Sequence, residues 1–277
     1  MLYPATTVTG LGIQAIDGLF GAVSDLYFDD VTWIVRYLVV DTGSWLSGRK
    51  VLISPEALTG IHRDANVLTT TLTQQQIKDS PPSDSEKTVS RQHEECLSEY
   101  YGWSPYWLTP SSVYRWPNIY PHSSLPPDGT LPSGIGKEAR ARVDAKRSEE
   151  IHLRSFKEIK GYGIGATDGN IGELDDLLFG SHDWRITHLI ADSRKWWPGG
   201  QVILDRSMVD DIVWADRKIQ VAMTQDEVRQ APPYDPDRIL TDQYQKEVSK
   251  YYQKLATPKT QPPSARSRNA LSEHHPI

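Results

Sequence analysis

The chain has 277 residues and a formal charge of -6, enough length for one large domain or two small ones at roughly 100–200 residues each. Its acidic balance argues against a general nucleic-acid binder, which needs a basic face to displace counterions, and its one cysteine, Cys96, excludes an intramolecular disulfide. Apolar residues make up 38%, below the usual share of about 45–50%, as expected where ordered domains alternate with polar linkers. No run of about 18 apolar residues provides a membrane helix. The first residues carry neither a basic nor an apolar stretch, so no secretory signal is expected and the cytoplasm is the default location.

In chain order, residues 12–16 and 19–28 flank Asp17-Gly18 and read as strands joined by a hairpin, because both residues tolerate positive φ. Residues 32–40 form a further β-branched and aromatic run after the turn Asp29-Asp30. Residues 51–54 are a short buried strand stopped by Pro55, and 67–71 another. Thr73 with Gln76 has the spacing of a capping box, and Pro81-Pro82 ends that helix. Val89, His93, Leu97 and Tyr100/Tyr101 then recur at helical spacing. Several short strands bounded by turn residues predict a small antiparallel barrel or sandwich.

A shift of 151 positions repeats this pattern without a gap. Gly10, Asp17, Gly18, Gly21, Asp25, Phe28, Trp33 and Asp41 fall on Gly161, Asp168, Gly169, Gly172, Asp176, Phe179, Trp184 and Asp192. Pro81-Pro82 falls on Pro232-Pro233, and Tyr100-Tyr101 on Tyr251-Tyr252. The diagonal predicts duplication of a unit of about 90 residues, large enough to hold a small core of its own. The expected division is 5–82 for the first β unit, 83–101 for its helix and 102–155 for a linker. The second β unit is 156–233, its helix 234–255, and 256–277 a disordered tail. The linker is first aromatic and Pro-rich, then charged.

The residues that carry the duplication resemble the PRC-barrel family, the β-barrel shared by the photosynthetic reaction-centre H subunit and the ribosome maturation factor M. They are Asp17-Gly-x-x-Gly21-x-Val23-x-Asp25-x-x-Phe28, Val39-Val-Asp41-Thr-Gly and Arg49-Lys-Val-Leu-Ile-Ser-Pro55 in the first copy. In the second they are Asp168-Gly-x-x-Gly172-x-Leu174-x-Asp176-x-x-Phe179, Ile190-Ala-Asp192 and Gly200-Gln-Val-Ile-Leu204, with Asp205-Arg206 departing from Ser54-Pro55. Tyr100-Tyr-Gly-Trp-Ser-Pro-Tyr-Trp107 is similar to a tail of stand-alone bacterial members. The resemblance implies a mainly β fold with accessory helices, in which two small antiparallel PRC-type barrels form an intramolecular pseudo-dimer, with further homo-oligomerisation left open. It implies an interaction or assembly module in the tandem, soluble branch, its protein partner unspecified. The alternatives are association with a membrane complex in the manner of the H subunit, in photosynthesis or stress physiology, and a metal-dependent hydrolase using the duplicated aspartates.

Weighed residue by residue, no catalytic, cofactor or metal site is expected. Short acids such as Asp25, Asp41, Asp176 and Asp192 cap strand ends and turns. Asp168-Gly-Asn-x-Gly-Glu173 lacks the alternating oxygen ligands of a calcium loop. His93-Glu-Glu-Cys96 is half a metal site without its other half. The candidate interaction surface is aromatic: Trp45, Trp196 and Trp197 in Gly-bounded loops, which either anchor a partner or lid a barrel end, and Trp103, Tyr106 and Trp107 in the linker.

Overall fold

The computed structural model describes residues 2–43, 48–81, 89–108, 153–194, 200–239 and 241–256. The first half contains β1 (Leu2–Pro4), α1 (Ala5–Val8), β2 (Gly12–Ala15), β3 (Gly18–Asp29), β4 (Ile34–Asp41), β5 (Lys50–Ile53), β6 (Leu58–His62), β7 (Val67–Thr70), α2 (Gln74–Lys78) and α3 (Arg91–Tyr101). The second repeats the order with β8 (Leu153–Ser155), α4 (Phe156–Ile159), β9 (Gly163–Ala166), β10 (Gly169–Gly180), β11 (Ile186–Asp192), β12 (Gln201–Asp205), β13 (Val209–Val213), β14 (Lys218–Val221), α5 (Gln225–Arg229) and α6 (Asp242–Ala256). Both expected capping boxes form, Thr73 with Gln76 and Thr224 with Glu227.

Each half supplies six strands, in the order β5-β4-β3-β2-β7-β6 and β12-β11-β10-β9-β14-β13, to a sheet whose seventh strand, β8 on β3 and β1 on β10, comes from the other half. Two points differ from the closed antiparallel barrel expected from sequence. The β2–β7 and β9–β14 ladders are parallel, which the long crossover through β3 to β6, and its counterpart, permits. The sheet also does not close. Its two end strands, β5 and β6, are consecutive in the chain, so the sheet curls to bring their adjoining ends near each other without pairing them. A 3-10 turn (Pro55–Ala57) joins them, and no ladder links them among the described residues. The departure at Asp205-Arg206 preserves this turn: Asp205 caps it by accepting from Ser207 N at 2.8 Å, as Ser54 does from Glu56 N at 3.3 Å.

The hairpins form, one residue earlier than expected. Ala15 pairs with Gly18, so Ile16 and Asp17 make the turn and only Gly18 takes positive φ, at 155°. Asp17 is held there because its Oδ1 accepts from Gln74 N at 2.8 Å, tying the hairpin to the start of α2; Asp168 does the same for Gln225 N at 2.7 Å. Gly21 has a stricter role. Its φ is 52°, and a Cβ would lie 2.4 Å from the Asp41 carbonyl oxygen. Gly21→Ala is therefore expected to lower the unfolding free energy by about 2–3 kcal/mol, through strain and forced displacement of β4, read from the urea midpoint.

Matching bulges interrupt the β3–β4 ladder between Val23 and Asp25 and between Tyr27 and Phe28, and the β10–β11 ladder between Leu174 and Asp176 and between Leu178 and Phe179. A bulge breaks the alternation of faces, and it turns Asp25 and Asp176 inward, to 8% and 5% exposure. One continuous apolar core spans both halves, including Ile13, Phe28 and Leu38 with Ile164, Phe179 and Leu189. A smaller cluster of Tyr37, Val39, Leu52, Val89, Leu97 and Leu153 seats α3 on the opposite face of the first sheet.

The halves exchange their first strands. β1 pairs with β10 of the second half, and β8 pairs with β3 of the first. Between these swaps Val35 N donates to Trp184 O at 2.9 Å, and Ile186 N to Trp33 O at 2.7 Å. The 151-residue shift interchanges these two bonds, so the contacts across the seam are reciprocal. Trp33 and Trp184 make this approach at φ of 57° and 53°, packed on Phe28 and Phe179 at centroid distances of 5.7 and 4.9 Å.

Candidate interaction site

The duplicated aspartates do not converge. Asp25 accepts from Ser155 Oγ at 2.5 Å, Lys157 N at 3.1 Å and Leu26 N at 2.8 Å. Asp176 accepts from Thr6 N at 3.2 Å, Thr6 Oγ1 and Leu177 N at 2.8 Å. Each therefore holds the first turn of the other half's short helix. Burial, outweighing these hydrogen bonds, raises both carboxyl pKa values. Asp41 lies two rungs along the ladder from Asp25 and accepts from Gly43 N at 2.9 Å. Asp192 pairs with Arg194. Gly169 and Gly172 serve their turn and strand approach as Gly18 and Gly21 do. No group of three His, Cys, Asp or Glu side chains forms a metal cradle among the described residues.

Trp45, Trp196 and Trp197 lie outside the described residues. The structure sets the other three aromatic candidates along one short segment, Trp103 on the apolar side chains and Tyr106 and Trp107 on a polar cluster. Gly102, at φ 72°, ends α3, and the chain turns back as a strap, residues 103–108. Trp103 N donates to Ser98 O at 3.0 Å, and its indole stacks on Tyr101 at 4.1 Å. Tyr106 and Trp107 then pack edge to face at 5.0 Å beside β4 and the start of α3.

Two arginines meet these rings. The Arg36 guanidinium lies 3.8 Å over Tyr106, and that of Arg91 4.4 Å over Trp107. Cations attract electron-rich ring faces, more so when desolvated. Glu94 sits beneath them at 1% exposure. It pairs with Arg91 Nη1 at 2.7 Å and accepts the Tyr106 hydroxyl at 2.7 Å. Burial raises the Glu94 pKa, opposed first by Arg91. Burial and the adjacent carboxylate push both tyrosine hydroxyls far up, so they remain donors. Arg36 is held near Asp29 Oδ2 at 3.6 Å and donates to Thr32 Oγ1 at 3.1 Å.

Arg36 and Tyr37 are neighbours on a strand and should face opposite ways. The second bulge explains why both reach the strap: Tyr27 pairs with Tyr37 and Phe28 with Val35, leaving Arg36 as the extra residue. A cleft of about 360 Å³ runs along the strap. Its lining includes Arg36, Tyr37, Trp103 and Tyr106 together with His182, Asp183 and Trp184 of the second half.

The reading from sequence named the strap aromatics but not the groups around Tyr106 and Trp107, namely Arg36, Tyr37, Arg91 and Glu94. One signal was present. These four positions break the duplication, facing Thr187, His188, Asp242 and Gln245 at the 151-residue shift.

No known family model matches the chain, and no curated protein matches it.

Proposed function

We propose that the chain is a non-catalytic protein-interaction and assembly module built from two PRC-barrel-like halves held as an intramolecular pseudo-dimer. The observation that carries this reading is the engagement of Asp25 and Asp176. The acids that a duplicated hydrolytic site would use are taken up as hydrogen-bond acceptors across the seam. The rolled sheets of identical strand order support the family reading, and the seam supports the pseudo-dimer. The cluster of arginine-stacked aromatics has the composition of interface anchors, in which Trp, Tyr and Arg predominate.

The test is capture on the immobilised full chain from a native lysate, followed by mass spectrometry. The expected result is a protein recovered saturably and competed by free chain. No saturable partner, together with a hydrolytic activity lost in Asp25→Asn, would overturn the proposal.

A further inference from the structure

Resting on that reading, we infer that the Arg36–Glu94 cluster is a receptor for a Tyr-Trp pair presented by a partner protein, and that Tyr106–Trp107 of the chain's own strap occupies it in cis.

The second half shows what folding alone requires at this place. There α6 docks on its sheet with Thr187, His188, Asp242 and Gln245 at the corresponding positions, and Tyr251 OH bonds Glu227 O as Tyr100 OH bonds Gln76 O. Helix docking is thus common to both halves, whereas the two-arginine, one-carboxylate receptor belongs to the first alone. The bound strap displays the chemistry of the ligand. Two guanidinium faces select electron-rich rings, and a buried carboxylate selects a ring bearing a donor, so tyrosine fits the first position better than phenylalanine.

The receptor also survives emptying. Without Tyr106 the Glu94 carboxylate keeps Arg91 Nη1 at 2.7 Å, so no unpaired charge is left buried. The cleft alongside the strap leaves room for an incoming segment to approach Tyr106 from the second-half side. A short tether holds the cis strap at an effective concentration on the order of millimolar. A partner therefore succeeds only by adding contacts beyond the pair, which makes the strap a threshold against weak or wrong partners.

The experiment uses the full chain carrying Tyr106→Ala and Trp107→Ala, with a fluorescein-labelled Ser-Pro-Tyr-Trp-Leu peptide, the sequence of residues 104–108, followed by anisotropy. The emptied chain is expected to bind the peptide at least about tenfold more tightly than the parent, whose site is filled. Replacing the peptide tyrosine by phenylalanine should weaken binding about tenfold, the size of a hydrogen bond to a charged group. Equal binding by parent and variant, no binding by a variant with an unchanged circular dichroism melt, or a variant that fails to fold would each overturn the inference. Capture of a native partner by a chain that fails the peptide test would leave the assembly reading standing and remove this site from it.

Discussion

Residues 1–107 expressed alone should associate in pairs and should not form a stable monomer. The fragment keeps β3 but loses β8, the strand that covers the Tyr27–Asp29 stretch. It also keeps β1, whose ladder is with β10 of the missing half. Asp25 would remain in a buried pocket without the Ser155 hydroxyl and the Lys157 N–H. A second copy of the fragment can supply the replacement. Thr6 corresponds to Lys157 in the repeat, and in the intact chain Thr6 already holds Asp176 through its N–H and hydroxyl. Two fragments can therefore lay β1 along each other's β3 and rebuild the seam with twofold symmetry, as isologous interfaces and swapped elements do. Light scattering should give twice the fragment mass, and the melting temperature should rise with concentration, as mass action requires when folding and association are coupled. A cooperative melt at monomer mass, independent of concentration, would show that the halves fold without exchange.

What could be read from the sequence follows the range of the interactions. Capping boxes and hairpins depend on residues a few positions apart, and both are present where Thr73, Gln76, Thr224 and Glu227 place them. Even so, the hairpin register shifted by one residue, because Asp17 is engaged by Gln74, 57 positions away. The duplicated strand order was legible because the repeat lies on a single diagonal, whereas the strand exchange was not. β1 is three residues long, too short to show a period, and its partner lies in the other half. The fate of Asp25 followed from that. Its spacing in the sequence matches a turn acid, and only the bulge and the swapped helix make it a buried acceptor. The cluster of arginines and aromatic rings was half legible for a related reason. Aromatic density marked Trp103, Tyr106 and Trp107, but a bulge, for which the sequence has no marker, placed Arg36 beside them.

Asp25→Ala and Asp176→Ala should each lower the unfolding free energy by about 3–5 kcal/mol, among the largest single-residue effects expected in this chain. Each truncation leaves three donors without their acceptor. For Asp25 these are the Ser155 hydroxyl and the N–H groups of Lys157 and Leu26. For Asp176 they are the Thr6 hydroxyl and the N–H groups of Thr6 and Leu177. The loss falls on the seam, so both halves should melt together in the parent and separate into two transitions in the variants. The Asn variants isolate the charge. Because burial raises both aspartate pKa values, the folded protein binds these protons more tightly than the unfolded chain does. That contribution is present in full below the ordinary aspartate range and is lost as pH rises through the raised folded values. As the solution is acidified from neutral pH toward the ordinary aspartate range, the parent's urea midpoint should therefore gain on that of the Asp25→Asn, Asp176→Asn double variant. A parent that instead loses ground to the double variant on acidification would mean that the hydrogen bonds to these carboxylates outweigh their burial. The seam would then be held by charge, with its stability greatest above the carboxylate range.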